Sequence, residues 1–298
     1  MTLPRPGRPE HSADDVRAVA ALMRSGLRSG AVRRMSVPLR LTLEDGQGAR
    51  FLAMPAVSAD FGLYVSKTAT ITDGPGPTVT AVVPVFATTG ELLAVLDGAA
   101  VTDLKCAAVT ALVTDRCAAP GSSDLGIVGS GVQAWQQYLG VSAVREITRV
   151  RVHSRTPAGA EALCARINAL GRARAVACAS AEEATAGADV VSTATTSVLP
   201  LPIAADLPEH VHINCMGAHT TESREVSHAL LAAVTVVVED IGIAVAEAGA
   251  IHRTALDLEA LETGGHTGLD ARPTVFSSTG HASLDLITCA HLVGRTHR

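Results

Sequence analysis

Residues 125–135 read LGIVGSGVQAW. An apolar run, Leu125 to Val128, stops at Gly129-Ser130-Gly131, and Val132, Gln133 and Ala134 open a helix-like stretch. The pattern G-x-G-x-x-A carries weight only between a strand and a helix, which is where it stands here. Gly129 permits the tight bend, Gly131 lets the backbone approach a pyrophosphate, and Ala134 keeps the following helix close to the sheet. The first N–H groups of a helix have no intrahelical partner and lie at the positive end of its dipole. The segment is therefore suited to hold a dinucleotide's phosphates, with Gly129, Ser130, Gly131, Val132 and Gln133 as cofactor-binding residues.

The second strand decides which dinucleotide. An NAD site usually carries Asp or Glu at the end of that strand, about 20 residues on, to hold the ribose 2′-hydroxyl. Here the strand ends in His153-Ser154-Arg155-Thr156. Two hydroxyls and a guanidinium fork stand where a 2′-phosphate would sit, and no carboxylate is there to repel it. Ser154, Arg155 and Thr156 thus predict a preference for NADP(H) over NAD(H).

Outward from the turn, apolar periodicity alternates between strand and helix. Strands are predicted at 125–129, 147–153, 174–178, 189–195, 211–216 and 234–238, with helices at 131–143, 157–170, near 181–186, and at 223–232. That alternation is the signature of a doubly wound parallel sheet of the Rossmann type. Upstream, Ser12 and Asp15 form a capping box for a helix carrying Val16, Val19, Met23 and Leu27 and ending at Gly30. Strands at 37–43, 50–54, 63–72, 78–87 and 91–97, with a TTGE hairpin at 88–91, follow without intervening helices and predict an antiparallel α+β domain. Thr102 is read as the cap of a helix running past Lys105 to about Ala118. APGSSD, 119–124, reads as a linker. A final helix, 281–294, follows TVFSSTG, read as a loop. The expectation is an α/β protein: an α+β domain over 1–119, a Rossmann domain over 120–271, and 272–298 packing back on the first.

Composition narrows the classes of function. The 298 residues are 47% hydrophobic but only 2% aromatic, and the net charge is −5. Few aromatic faces and no basic excess argue against nucleic acid. No apolar run reaches the ~18 residues of a membrane span, and residues 1–10 lack the apolar core of a signal peptide. Six cysteines, at 106, 117, 164, 178, 215 and 289, form no C-x-x-C pair. Their spacing fits neither zinc nor a disulfide framework, and small buried thiols in a reducing cytosol are the plain reading, with no metal.

The motifs, taken in order, resemble the ornithine cyclodeaminase/mu-crystallin family over almost the whole chain. They are VPLR (37–40), FLAMPA (51–56), SKTATI (66–71), the hairpin through 89–98, TDLKCAAVTALVTD (102–115), LGIVGSGVQA, HSRT, GADVVSTAT (187–195), INCMGAHTTESREV (213–226) and VFSSTG (275–280). The family spans ornithine and lysine cyclodeaminases, alanine dehydrogenases, imino-acid reductases, opine-type dehydrogenases and a hormone-binding crystallin.

The resemblance implies that the first domain binds substrate and forms a homodimer, while the Rossmann domain binds the nicotinamide cofactor. Basic residues seat the substrate's carboxylate, and by position these are Arg40, Lys67 and Lys105. The last departs from the family's R-T-A-A, since Lys105-Cys106-Ala107-Ala108 keeps the charge without the fork. Lys67 lies in an alternating strand and Lys105 is read in the first turn of its helix, both odd places for an idle cation. Further cofactor contacts carry over to Thr78, Thr195, Met216, Gly217 and Ser278, and Thr279 borders the substrate. Where cyclodeaminases carry an Asp, this chain has His219, which can pass a proton to or from nitrogen near neutral pH. His219 and Lys67 are the candidate catalytic residues. An NADP(H)-dependent oxidoreductase of a C=N/CH–NH bond next to a carboxylate is the leading expectation. A redox-neutral, ammonia-releasing cyclodeaminase and a non-catalytic NADP-dependent binding protein stay open.

Overall fold

The period-2 alternation between residues 41 and 97 becomes a five-stranded antiparallel meander, with strands adjacent in chain order. Its members are β1 (Leu41–Glu44), β2 (Arg50–Ser58), β3 (Leu63–Ile71), β4 (Val79–Ala87) and β5 (Leu92–Asp97). The computed structural model describes residues 11–72, 79–217 and 220–296, so Thr78 and His219 lie outside the described residues. Two compact units are present, one of Met1–Lys105 with His281–Arg298, the other of Cys106–Gly280.

In the first unit, Ser12 accepts from the Asp15 amide and Asp15 accepts from the Ser12 amide, closing the capping box of α1 (Ala13–Arg28). Val16, Val19, Met23 and Leu27 are all buried. On β3 the inward positions are Leu63, Val65, Lys67 and Ala69. The C-terminal helix, Ala282–Thr296, numbered α9 in chain order, packs on β2, β3 and β5, and α1 packs on α9. The hairpin of TTGE closes as read, with the Ala87 amide on Glu91 O at 2.8 Å.

Helix α2 spans Gly98–Cys117 and corrects two readings. Asp97 Oδ1 accepts from the amides of Ala99 and Ala100, so the helix begins four residues before Thr102. Thr102 is an interior residue whose hydroxyl donates to Gly98 O at 2.7 Å. Lys105 therefore sits two turns in, and the argument from a cation opposing the helix dipole does not apply to it. The units divide inside this helix, at Lys105/Cys106, and not at the 119–124 loop. The second half of the helix is largely buried in the second unit and bonded there: Thr110 donates to Gln137 Oε1, and Thr114 Oγ1 accepts from Asn214 Nδ2.

The second unit holds an eight-stranded sheet whose pairings are all parallel. In chain order its strands are β6 (Asp124–Val128), β7 (Arg149–His153), β8 (Arg174–Ala177), β9 (Val190–Thr193), β10 (His212–Cys215), β11 (Thr235–Val238), β12 (Leu256–Asp257) and β13 (Thr274–Ser277). They lie in the order β12-β11-β13-β10-β9-β6-β7-β8. Helices α3 (Val132–Ser142), α4 (Pro157–Ala169) and α5 (Ala181–Thr185) link the early strands. The doubly wound reading is thus realised, with a corrected middle. TVFS of the expected loop is β13, wedged between β10 and β11 and buried at every residue. The helix expected at 223–232 is shorter: α6 (His228–Ala233) starts at a Ser227 cap, and residues 220–226 are irregular, bending at Thr220–Ser223 and then pairing with residues 198–201. Two further helices, α7 (Ile241–Ala248) and α8 (Leu258–Thr263), are capped by Asp240 and Asp257. All six cysteines are free thiols, five of them buried.

Candidate active site

The strand order reverses between β6 and β9, and parallel sheets bind ligands at the carboxyl ends of strands flanking such a point. β6 is fully buried and delivers the chain to Gly129, whose φ of +119° only glycine adopts without strain. A Cβ there would also stand 2.4 Å from Ala194 O. Gly131 is the N-cap of α3 and makes no side-chain cap bond, and the space where its Cβ would be is open to 4 Å. Ala134 is buried, as the close approach of helix and sheet requires. The start of α3 therefore has no capping side chain and room beside its N-cap glycine, which fits a pyrophosphate.

The turn and the second-strand loop are tied together. Ser130 Oγ donates to Ser154 Oγ at 2.8 Å. Arg155 and Thr156 are exposed, and Thr156 caps α4 without a side-chain bond. A groove of about 690 Å³ runs past the glycine turn, residues 153–156 and residues 194–197. Its one lining carboxylate belongs to Glu182 on α5, so the end of β7 carries no acid. Val132 stands half-exposed at the start of α3, next to partly buried Gln133.

Two buried glutamates that the motif reading passed over organise the strand ends. Glu225 is fully buried. Its Oε1 accepts from the Thr195 amide and hydroxyl, and its Oε2 from the Thr193 hydroxyl and the Gly217 amide, all at 2.7 Å. Glu239, after β11, accepts from Ser278 Oγ at 2.5 Å and from the amides of Thr279 and Gly280 at 3.0 and 3.1 Å. The cofactor candidates Thr195, Gly217 and Ser278 thus have donors already engaged by carboxylates, and they reach a ligand through their remaining surface. Met216 is half-buried, its amide on Thr193 O. The available signal was a carboxylate directly after a buried strand in VVVED, and a second inside TTESREV.

The three predicted anion ligands all fall in the first unit. Arg40 is half-buried just before β1. Lys67 and Lys105 are buried, at 8% and 4% exposure, and are not surface charges. Lys67 Nζ is bonded to both oxygens of Asp285 on α9, at 3.0 and 3.1 Å. Asp285 is a residue that sequence reasoning missed. Nearby on α9, burial drives the Cys289 thiol far above its ordinary pKa, with Asp285 adding to the shift and Lys67 opposing it, so it stays neutral.

Comparison with known proteins follows the same lines. The model of the ornithine cyclodeaminase/mu-crystallin family matches residues 12–295. Ketimine reductase mu-crystallin of Rattus norvegicus is 32% identical over 260 residues, covering 84% of this chain and 82% of that protein. Delta(1)-pyrroline-2-carboxylate reductase of Bacillus cereus is 32% identical over 222 residues, 70% of this chain and 68% of its own. Among solved structures, Thermococcus litoralis Delta(1)-pyrroline-2-carboxylate reductase in complex with NADH and L-proline matches with a TM-score of 0.86 at 23% identity, covering 96% of this chain and 97% of that one. At that identity the likeness establishes the fold.

Proposed function

The chain belongs to the ornithine cyclodeaminase/mu-crystallin family, and from that premise we propose an NADPH-dependent reductase, or NADP⁺ dehydrogenase, of a carbon–nitrogen bond next to a carboxylate. At the level of class it is an NAD(P)-dependent oxidoreductase of C=N and CH–NH bonds. The single observation that carries the substrate reading is the burial of Lys67 and Lys105. Taking an ammonium out of water costs several kcal/mol, so buried lysines are kept beside anions; Asp285 meets Lys67 with two oxygens and leaves the ammonium donor capacity for a substrate carboxylate.

A bound nicotinamide supplies the hydride. The chain's own residues hold and orient. The uncapped start of α3 takes the pyrophosphate, and Ser154, Arg155 and Thr156 take the 2′-phosphate. Arg40, Lys67 and Lys105 hold the substrate's carboxylate, Thr279 borders it, and His219, or a water it holds, gives the nitrogen its proton. The reading includes a cytosolic homodimer. Free thiols support the compartment, and an apolar outer face on the five-stranded sheet supports the dimer. Among the described residues no helix is long and apolar enough to cross a membrane.

The test is NADPH oxidation by the purified chain with a panel of cyclic and acyclic α-imino acids. Oxidation with at least one of them, and slower turnover with NADH, is the expected outcome. Conversion of ornithine to proline and ammonia with no imino-acid reduction would establish the redox-neutral alternative. A ligand that tightens with NADP(H) and is never converted would establish a binding protein.

A further inference from the structure

We infer that Asp285 is the positioning residue for Lys67, making that lysine a directed hydrogen-bond donor rather than a net charge; the inference rests on the imino-acid reading. Lys67 points from the buried face of β3, among Leu63, Val65 and Ala69. Asp285 comes from α9, 218 positions later, and meets it with both carboxylate oxygens. The two side chains are 9% and 0% exposed.

Fold stability does not explain such a pair. Replacing a buried ion pair with apolar side chains of similar volume is often neutral or stabilising, so a β3–α9 contact built for strength alone would be apolar. What the pair does provide is geometry. A lysine side chain gives up much rotamer freedom when fixed, and here folding has already fixed it before any ligand arrives. Two N–H groups of the ammonium point at the carboxylate. The third has no partner among the described residues and is available to a ligand. The pair as a whole is neutral, so its use to a ligand is direction and not net charge. Lys67 then contributes one aimed hydrogen bond in a nearly water-free setting, where such donors count for most.

Asp285→Asn in the full chain is expected to lower kcat/KM for the imino acid about 10²-fold, with NADPH binding unchanged. That binding is read by energy transfer from Trp135, the one tryptophan, on α3 of the other unit. Asp285→Glu is expected to recover part of the loss. The pair swap Lys67→Met/Asp285→Leu is expected to fold, to bind NADPH, and to be no less active than Lys67→Met alone. Asp285→Asn within threefold of wild type, or a pair swap tens of fold below Lys67→Met, would overturn the inference, since Asp285 would then act elsewhere or not at all. L-Proline, a carboxylate-bearing ring, titrated with NADP⁺ present reads the same variants without turnover. A wild-type chain that binds L-proline but reduces no imino acid overturns the functional reading alone. Equal L-proline affinity in wild type and Asp285→Asn overturns the inference, and no L-proline binding by the wild type overturns both.

Discussion

Arg155 stands exposed after β7, in a segment where an NAD site would carry an acid, and Ser130 and Ser154 hold that segment to the glycine turn. Its guanidinium has a phosphate to meet only when the cofactor carries one at the ribose 2′ position. A charge-assisted hydrogen bond of this kind is worth about 1.5–3 kcal/mol, or about 10- to 150-fold in affinity. Arg155→Ala is therefore expected to raise the Kd for NADPH by that factor and to change NADH by less than threefold. Titrating both cofactors against Trp135 fluorescence checks it, and equal weakening of the two would assign Arg155 a role blind to the phosphate. This residue was legible because a motif fixes its distance from Gly129. Asp285 was not, because nothing in a linear sequence places it beside a lysine 218 positions away.

The elements that sequence patterns recover least well are those made by contacts across the sheet. β13 reads as a loop in TVFSSTG because a four-residue strand buried on both faces has no alternation to display. The start of α2 was displaced because Asp97 closes strand β5 and caps the helix at once. The glycine turn, the capping box and the TTGE hairpin were recovered because each is a local rule written in neighbouring residues. One cross-element feature has a measurable signature. His212 on β10 is fully buried, its Nε2 on Asn214 Oδ1 at 3.1 Å and its Nδ1 on Thr274 Oγ1 of β13 at 2.8 Å. Asn214 goes on to Thr114 of α2. The Asn oxygen only accepts, so the ring proton sits on Nε2 and Nδ1 accepts from the threonine. Burial lowers the pKa of His212 from 6.5 to about 4, and its hydrogen bond to Asn214 only partly opposes the shift. Between those values the unfolded chain binds the proton and the folded chain does not. This group's contribution is complete above about pH 6.5 and is lost as pH falls towards 4, a loss of about 3 kcal/mol. His212→Gln is expected to unfold more easily at neutral pH but with a shallower decline in Tm from pH 6.5 to 4. An unchanged slope would show that His212 does not titrate on unfolding.

At the scale of the whole molecule, one face of the five-stranded sheet has nothing from the chain's own described residues to justify its composition. The inner face is packed by α9. On the opposite face, Leu41 and Leu43 of β1 pair with Ala53 and Phe51, and Val57 pairs with Tyr64. Val82, Leu92 and Val95 extend the patch, and apart from the half-buried Ala53 these side chains are between 39% and 55% exposed. Along β2, β3 and β4 the outward positions, from Phe51 through Thr70 to Phe86, include no charged residue. Single exposed apolar residues are ordinary, but a contiguous patch spread over five strands is the mark of an interface. A two-fold copy laid face to face would bury it, and a stable homodimer needs on the order of 1,200–2,000 Å² in total. The wild-type chain is therefore expected to sediment at twice the monomer mass, with a Tm that rises with protein concentration. Phe51→Glu/Val82→Glu places two carboxylates on each copy's face, where like charges would meet without water. That variant is expected to sediment as a monomer with a lowered, concentration-independent Tm. Its NADPH affinity should hold, because the glycine turn belongs to the other unit. A wild-type monomer, or a double variant that remains dimeric, would show that this face does not join the subunits.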